Sequence, residues 1–191
     1  MENLLAALIE EPLRLIKKYY DPESELYYIL VEHGKAVAQK ALAAAEKARR
    51  FHPDRKFLVE AAMLHDIGMF LTDLPEIGCK GNKPYICHGC LGREILEKEG
   101  LPAHALVCER HVGAGINREE IITRNLPLPP RDMVPVTLEE QIICFADKFF
   151  SKNRRLLHRE KTIAEVRREL SRYGSGQLLR FQEWAKLFAD V

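Results

Sequence analysis

Apolar residues recur at intervals of three and four along most of the chain, with polar residues between them. This is the period of amphipathic α-helices, and the alternation typical of strands is nearly absent. Turn and capping residues divide the pattern into helices that we expect at about 3–20, 25–50, 55–66, 89–99, 102–112, 137–153, 161–173 and 176–189. The sequence therefore predicts an all-α fold.

Polar residues at the expected helix ends support these boundaries. Asp54 follows the break FHPD and is placed to cap the helix that begins at 55. Thr137 precedes Glu140 by three residues, which is the spacing of a capping box. Gly68 is expected to mark the end of the third helix.

Two segments interrupt the helical pattern. Residues 69–87 contain two prolines and two glycines and are expected to form a long loop. Residues 126–135 contain four prolines and cannot form regular structure. Loops of this length in a compact domain are usually functional or disordered, so 69–87, and after it 126–135, are candidates for a lid over a site.

The length and composition of the chain indicate how many domains it forms and which kinds of partner are expected. The chain has 191 residues, of which 47% are hydrophobic and 30% charged, and this favours one globular domain, 1–191, with a core at about 25–155. The formal net charge of +1 gives no argument for nucleic acid or an anionic membrane as a partner. No apolar run approaches the roughly 20 residues that span a bilayer, and the amino-terminal residues do not resemble a signal peptide. We therefore expect a cytoplasmic protein.

Basic residues and cysteines each allow two interpretations. The basic run 148–161 is more simply a solvated helix face than a phosphate-binding face.

Five cysteines include the pair Cys87 and Cys90 in CHGC. A zinc site needs further soft ligands, and Cys79 is the nearest candidate, but a second such pair is absent from the sequence. Zinc or redox use of the pair is therefore the minor interpretation, and its role stays open.

The candidate chemistry lies in histidines and aspartates within apolar surroundings. His65 and Asp66 follow the apolar run AAML, and Asp147 follows IICFA. Each such residue alone could be a surface or satisfied core group, but buried acids are rarely unpaired, and a divalent cation would satisfy several at once. The full set is suited to two metals that share a carboxylate. Its members are His33, His65, Asp66, His88, His111 and Asp147.

This ordered set resembles the H…HD…H…H…D signature of the HD superfamily of metal-dependent phosphohydrolases, and HDIG at 65–68 is a common form of its doublet. The resemblance spans 33–147. It implies a helical bundle of about five core helices, flanked here by the amino- and carboxy-terminal helices. It also implies the ligand sets. One metal would be bound by His33, His65 and Asp147, the other by His88 and His111, with Asp66 and a hydroxide bridging them.

The resemblance implies hydrolysis of a phosphate ester or anhydride of a nucleotide or dinucleotide through the bridging hydroxide. The branch with this ligand set includes bacterial symmetrical diadenosine-tetraphosphate hydrolases and the HD-GYP phosphodiesterases. The GYP element is absent from the sequence, which disfavours a cyclic dinucleotide. Many HDIG proteins carry a lysine after the glycine that faces the substrate phosphate, whereas this chain carries Met69. The phosphate-binding groups must then lie elsewhere.

Candidates for the chemistry beside the metals lie next to the ligands. The catalytic set is expected to be Asp66, His65, Lys148 and Arg110. Helical neighbours point about 100° apart, so Lys148 and Arg110 need not face the site. Ser151 lies one turn beyond Asp147 and would share its face, and Arg93 and Lys83 are further candidates. The remaining histidines, His52, His104 and His158, receive no role, and the first two are expected to be exposed.

Two divalent metal ions are the expected cofactors. Iron, manganese, zinc and nickel all suit a site rich in imidazole, and magnesium is the least suited. The expected partner is a small phosphate substrate, most simply a nucleotide, while membrane and nucleic acid are not expected and homo-oligomerisation stays open. Two other interpretations remain: a sensor module that binds metal and nucleotide without turnover, and a helical domain stabilised by a structural metal.

Overall fold

A computed structural model of the protein describes residues 6–189 and is predominantly helical, as the sequence predicts. The α-helices in this part of the chain are Glu10–Ile16 (α1), Glu25–Lys47 (α2), Arg55–Leu64 (α3), His88–Lys98 (α4), Pro102–Arg110 (α5), Arg118–Thr123 (α6), Leu138–Asp147 (α7), Ile163–Leu170 (α8) and Ser175–Phe188 (α9). Residues 3–5 of the predicted first helix lie outside the described residues. Within those residues, no helix combines the length and apolar character needed to cross a membrane.

Helix α2 is the centre of the bundle. It packs against α3, α7 and α9, and its buried face carries many alanines, which let neighbouring backbones approach closely. Two apolar clusters meet along it. One includes Leu30 and Val31 with parts of α1, α3 and α4, and the other includes Val37 and Ala38 with parts of α7, α8 and α9. His33 lies on α2 between these two clusters.

Capping residues fix where the helices begin. The Asp54 carboxylate accepts the backbone N–H of Phe57, which confirms the predicted cap of α3. The Thr137 hydroxyl accepts the N–H of Glu140 at the start of α7. The Glu140 carboxylate reaches the N–H of Val136 instead of that of Thr137, so the predicted capping box is only half formed.

The segment 69–87 is not the long loop that its composition predicts. It contains 3₁₀ turns and a small sheet made of Thr72–Leu74 (β1), Cys79–Lys80 (β2) and Lys83–Pro84 (β3), in the order β2-β1-β3. Strand β1 is antiparallel to β2 and parallel to β3. The buried side chains of Ile77 and Cys79 attach the segment to the core.

Helix α7 ends earlier than its pattern predicts. The sequence suggests a helix to about residue 153, but the α-helical conformation stops at Asp147. The chain then turns away through residues 148–153 before a 3₁₀ turn at Arg154–Leu156. This early end decides which side chains after Asp147 reach the site.

The proline-rich segment 126–135 lacks helices and strands, as predicted, but is anchored at one point. Met133 and Ile116 exchange both backbone hydrogen bonds, at 2.9 and 3.0 Å. Leu128 and Met133 pack with Cys87 in a small apolar cluster. The Cys90 thiol contacts the Met133 sulfur, whereas Cys79 belongs to a different cluster, so these cysteines do not form the minor zinc site considered from the sequence.

Candidate metal centre

The ends of four helices converge on one buried region. His65 follows the last residue of α3, His111 follows the last residue of α5, Asp147 is the last residue of α7, and His88 is the first residue of α4. His33 joins them from the middle of α2. All six residues predicted as ligands, including Asp66, are buried, and they form two overlapping groups with ligand atoms close enough to share ions.

The first group surrounds one oxygen of Asp66. His33 Nε2 lies 2.9 Å from Asp147 Oδ1 and 3.4 Å from Asp66 Oδ2. His65 Nε2 lies 3.0 Å from Asp66 Oδ2 and 3.4 Å from Asp147 Oδ1. Two imidazoles and two carboxylates thus converge on one point, and this is a ligand set that divalent transition metals accept.

The second group surrounds the other oxygen of the same carboxylate. Asp66 Oδ1 lies 3.2 Å from His88 Nε2 and 3.3 Å from His111 Nε2, and these two nitrogens are 3.1 Å apart. Asp66 is the member that both groups share. Its position is therefore that of a bridging carboxylate.

The backbone fixes the orientation of three of the imidazole rings. Nδ1 of His65, His88 and His111 lies 2.6–2.7 Å from the carbonyl oxygen three residues earlier in each case. A carbonyl oxygen only accepts, so each Nδ1 carries the hydrogen and each Nε2 presents a lone pair when the ring is neutral. Such hydrogen bonds are those that orient metal-binding histidines.

Unsatisfied polar atoms show that the residues fit a metal. Both carboxylate oxygens of Asp66 and Nε2 of His65 are buried and make no hydrogen bond of good geometry within the described structure. Without metal, the ammonium of Lys152 and protonated His65 pair with Asp66 Oδ2 at 2.8 and 3.0 Å, whereas Asp66 Oδ1 keeps no hydrogen bond, which is costly for a buried oxygen. Cations bound by the two groups would satisfy these atoms, and the imidazole and carboxylate donors present suit iron, manganese, zinc or nickel.

Neighbouring charges lower the pKa values of the two aspartates and raise the pKa of His65. Burial opposes ionisation of Asp66, but the charges of His65 and Lys152 outweigh it and hold the pKa of this carboxyl well below its ordinary range. The pKa of Asp147 is also lowered, because Lys148 and Lys152 outweigh the effect of its burial. Burial disfavours protonated His65, yet the carboxylates of Asp66 and Asp147 raise its pKa to about 9.

The pKa values of two other histidines in the site, His33 and His111, are lowered instead of raised. Burial lowers the pKa of His33 to about 4, and the positive charge of Lys152 acts in the same direction. Burial likewise lowers the pKa of His111 to about 3, against the effect of Asp66. Both rings are therefore neutral near pH 7 and ready to act as ligands, while His65 must first release a proton.

Two lysines approach the carboxylates. Lys148 Nζ lies 2.6 Å from Asp147 Oδ2 and donates to the backbone carbonyl of His111 at 3.1 Å. Lys152 Nζ lies 2.8 Å from Asp66 Oδ2 and 4.0 Å from Asp147 Oδ1. Lys148 was a candidate from the sequence. Lys152 was considered only within the basic run 148–161, for which a solvated helix face was preferred. That preference was wrong for these two lysines, because the helix ends at Asp147 and both side chains line the cavity.

The other candidate residues lie away from the ligands or at the rim. Arg110 was expected in the catalytic set, but its guanidinium donates to both carboxylate oxygens of Glu140, each at 2.9 Å, and it is not among the described residues that line the cavity. This ion pair removes Arg110 from the phosphate-facing groups. Arg93 pairs with Glu97 and Glu109, and Lys83 is exposed on β3.

Met69 and the unassigned histidines also have defined surroundings. The Met69 side chain is fully buried in the core, and its sulfur accepts the Tyr85 hydroxyl at 3.5 Å, so this position does not face the cavity. His52 is exposed as expected. His104 was predicted to be exposed, and that prediction was wrong: its side chain is only 11% exposed, packs on Phe57 and lies 3.4 Å from the Glu60 carboxylate.

A cavity of about 600 Å³ opens onto the metal-binding groups. His88, His111 and Asp147 form its floor, and Lys148, Ser151 and Lys152 lie beside them. Its walls are mainly apolar and aromatic and come from several elements, with contributions from Leu74, Ile77, Tyr85, Ile86, Ile116, Leu126, Phe150, Leu170 and Tyr173. A small ligand with a charged end and an apolar or aromatic end fits this distribution.

Glycines allow the ligand-bearing elements to approach. A Cβ atom on Gly68 would lie 2.2 Å from the carbonyl oxygen of His88 and 2.4 Å from the amide nitrogen of Gly92. A side chain at Gly68 would thus push α4, and His88 with it, away from the HD doublet. The φ of Gly68 is −81°, so close packing explains this glycine better than the helix-ending role predicted from the sequence.

Comparison with known proteins identifies the class. The family model of the HD domain matches residues 30–151, which contain all six candidate ligands, and the chain belongs to the HD domain family. This family is typically one of metal-dependent phosphohydrolases with a helical bundle fold. No solved structure matches the chain.

Three individual proteins are similar to this chain over about two thirds of its length. An uncharacterized protein of Methanocaldococcus jannaschii is 39% identical over 130 residues, which cover 66% of this chain and 69% of that protein. The tRNA (cytidine(56)-2'-O)-methyltransferases of Thermoplasma volcanium and Picrophilus torridus are 35% and 34% identical over 128 and 127 residues. The match covers 66% of this chain but only 33% of each methyltransferase. These names lend no support to the diadenosine-tetraphosphate hydrolase branch, which stays a prediction.

Proposed function

We propose that the protein is a metal-dependent phosphohydrolase that cleaves a phosphate ester or anhydride of a nucleotide or dinucleotide. The observation that carries this proposal is the carboxylate of Asp66, which offers one oxygen to each of two imidazole-rich groups at the floor of a cavity. Membership of the HD domain family supports the same reaction class. A small nucleotide is preferred to a nucleic acid because the chain has a formal net charge of only +1.

In this proposal two divalent ions occupy the two groups. His33, His65 and Asp147 would hold one ion, His88 and His111 would hold the other, and Asp66 would contact both. Ions bound there would supply Lewis acidity toward a phosphate oxygen and lower the pKa of water to yield a nucleophile. Iron, manganese, zinc and nickel are the proposed ions.

The chain itself supplies orientation and charge. Backbone carbonyls fix the rings of His65, His88 and His111, so that their Nε2 atoms converge without reorganisation during the reaction. Lys148 extends along the cavity floor, and a lysine or a water is the proposed proton donor to the leaving group. The apolar walls exclude water and suit a nucleobase.

The methyltransferase activity of two relatives is not part of this proposal. The match covers only one third of each of those enzymes. Their methyltransferase activity belongs to proteins about three times as long as the matched segment, and the match gives no reason to assign it to this chain.

A non-catalytic sensor of nucleotide and metal is the second candidate function. The observation that favours it is Met69, whose buried side chain supplies no charge toward a substrate phosphate at the position where many HDIG proteins carry a lysine. A sensor would bind nucleotide with metal present and show no turnover. Its cavity and ligand groups would be the same as those of the enzyme.

Metal analysis combined with a substrate panel tests the proposal. The purified protein is loaded separately with manganese, iron, zinc and nickel, the bound metal is counted, and phosphate release is measured from nucleoside mono-, di- and triphosphates, dinucleoside polyphosphates and aryl phosphates. Two metals per chain with metal-dependent hydrolysis, abolished in Asp66→Ala, is the expected result. Nucleotide binding with no hydrolysis under any metal would support the sensor instead, and unchanged metal content in Asp66→Ala would contradict the ligand assignment.

A further inference from the structure

Lys152 lies in the turn after α7, and its side chain contacts the Asp66 carboxylate. Helix α7 ends at Asp147, and the following turn brings the Lys152 ammonium to 2.8 Å from Asp66 Oδ2, while its side chain is only 16% exposed. The same ammonium lies 4.0 Å from Asp147 Oδ1 and belongs to the cavity lining. Lys152 is therefore a largely buried cation placed beside the carboxylate that both ligand groups share.

The two lysines of the site are held differently. The Lys148 ammonium pairs with Asp147 Oδ2 at 2.6 Å and also donates to the backbone carbonyl of His111 at 3.1 Å, so one of its contacts does not depend on a carboxylate. In the part of the chain that the structure describes, the ammonium of Lys152 pairs with the side-chain carboxylates of Asp66 and Asp147 and with no backbone carbonyl. When cations neutralise those carboxylates, the main attraction that holds Lys152 against Asp66 is lost, and like-charge repulsion favours its movement into the cavity.

We propose that Lys152 binds the phosphate group of the substrate, and that it selects a terminal, doubly charged phosphate over an internal diester. This inference rests on the proposed function and names the substrate class of that site. It assigns to Lys152 the task that many HDIG proteins give to a lysine after the glycine, a position that Met69 occupies here with a buried side chain. The lysine arrives from the turn after α7 instead.

Charge balance is the reason for a terminal phosphate. The ligand groups contain two carboxylates and four imidazoles, so two divalent ions bound there carry a net positive charge, which Lys148 and Lys152 increase. Near pH 7 a phosphomonoester is mostly a dianion and inorganic phosphate is about half dianion, whereas a diester carries a single negative charge. In a cavity with mainly apolar walls the dianion balances this excess better, because screening by water is weak there.

The binding of inorganic phosphate tests this assignment without requiring turnover. Manganese-loaded wild type, Lys152→Gln, Lys152→Arg and Lys35→Gln are titrated with phosphate by calorimetry, and bound manganese is counted in each. Lys35 is the matched control because it lies on α2, pairs with Glu32 at 2.8 Å and is not among the described residues that line the cavity. The expected result is two metals in every variant, a phosphate Kd raised by about tenfold or more in Lys152→Gln, a smaller rise in Lys152→Arg, and no change in Lys35→Gln.

The outcomes separate phosphate binding from a structural role. Loss of metal from Lys152→Gln would show that Lys152 only positions Asp66, and an unchanged phosphate Kd would show that it does not touch the anion. Either result overturns the proposal, as does a wild-type protein that binds dimethyl phosphate as tightly as methyl phosphate. The expected preference for methyl phosphate is about tenfold or more.

A chemical probe on the wild-type chain covers the case in which Lys152→Gln does not fold. Lysine acetylation by acetic anhydride is followed by mass spectrometry in the manganese-loaded protein, with and without phosphate. Phosphate should slow modification of Lys152 several-fold and leave that of Lys35 unchanged, and equal rates at Lys152 would refute the assignment. Failure of the proposed hydrolysis is a different result, since it appears as absence of turnover in wild type while phosphate binding and protection persist.

Discussion

The Nε2 atoms of His88 and His111 lie 3.1 Å apart although both rings use their Nδ1 hydrogens for backbone carbonyls. Two neutral rings held in this way direct lone pairs at each other, and either a proton or a metal cation between or beside them relieves this repulsion. Asp66 Oδ1, at 3.2 and 3.3 Å, completes this group. The pair is therefore the candidate for a second ion position, separate from the candidate position at His33, His65 and Asp147.

Replacement of His88 by alanine should remove one metal and retain the other. The remaining group keeps Asp66, Asp147 and two imidazoles, which suffice for one ion. Metal counted by inductively coupled plasma mass spectrometry should fall from two equivalents per chain to about one. His111→Ala should behave in the same way.

His52→Ala is the control for this experiment, because His52 is exposed and outside both ligand groups. It should keep the full metal content. Retention of two metals in both His88→Ala and His111→Ala would refute the two-ion assignment.

Asp66→Asn should release both metals and also destabilise the metal-free protein. The substitution keeps the shape but leaves protonated His65 and the Lys152 ammonium buried near one another without the charge of Asp66. Removal of one partner from a buried ion pair typically costs about 3–5 kcal/mol of unfolding free energy. Chemical denaturation in the presence of a chelator measures this loss.

A second substitution tests the cause of that loss. Lys152→Met in the Asp66→Asn background removes one of the stranded charges, so the double variant should be more stable than additivity predicts, by roughly 1–3 kcal/mol. Additive losses would mean that the two residues do not interact in solution as they do in the structure.

The helical architecture was predicted more completely than the surroundings of the candidate ligands, whose role as ligands stays a prediction. Long periodic segments, such as the one that forms α2, carry a repeated signal, and Asp54 and Thr137 mark helix starts by a local hydrogen bond. His65, Asp66 and Asp147 were conspicuous because polar groups in apolar runs need partners. The structure places these residues together with His33, His88 and His111, and the metals themselves stay a proposal.

The path of the chain beyond a helix end was not predictable from periodicity. Lys152 was unassigned because the pattern continues to about residue 153, while the helix stops at Asp147 and the turn redirects the chain. Arg110 was assigned to the catalytic set from its place next to His111, yet its partner Glu140 is 30 residues away in sequence. Long-range ion pairs of this kind leave no local trace.

The small sheet in 69–87 escaped prediction for another reason. Its strands have two or three residues each, which is too short for an alternating pattern to be recognised. They form because Gly81 lets the chain return closely, with its N–H donating to the carbonyl of Thr72 at 2.8 Å. A Cβ atom on Gly81 would lie 2.1 Å from the carbonyl carbon of Leu71.

Metal affinity should rise with pH between about 6.5 and 9. The pKa of His65 is raised to about 9 in the metal-free fold, above the ordinary value near 6.5, so this ring is protonated at neutral pH and must lose its proton to bind an ion. His33 and His111, with pKa values of about 4 and 3, are already neutral there. Competition with a chelator should show an affinity gain approaching about tenfold per pH unit in this range, and His65→Ala should reduce the slope.

The stability of the metal-free protein should change in the opposite direction. A pKa raised on folding means that protonated His65 stabilises the fold below about pH 6.5, and that this contribution is lost as the pH rises through about 9. Melting temperatures in chelator should therefore fall across this range. A metal-free protein equally stable at pH 6.5 and 9.5 would contradict the raised pKa.

Gly68→Ala should damage both the fold and the metal site. The added methyl group would meet two backbone atoms, the His88 carbonyl oxygen at 2.2 Å and the Gly92 amide nitrogen at 2.4 Å, and neither can move without displacing α4. Overpacking against backbone typically costs about 1–3 kcal/mol and sometimes more. We expect a loss of about 3 kcal/mol in unfolding free energy, together with weaker binding at the group that contains His88.

Gly176→Ala is the matched control for this substitution. Gly176 lies in the first turn of α9, where the nearest atom to an added Cβ is the flexible end of Arg180 at 3.5 Å. Alanine should therefore raise the unfolding free energy slightly, by about 0.5–1 kcal/mol, because glycine loses more conformational freedom in a helix. Denaturation curves and metal counts on both variants measure the difference in unfolding free energy and in metal content. A Gly68→Ala protein as stable as Gly176→Ala, with full metal content, would show that α4 does not press against the HD doublet as closely as the structure shows.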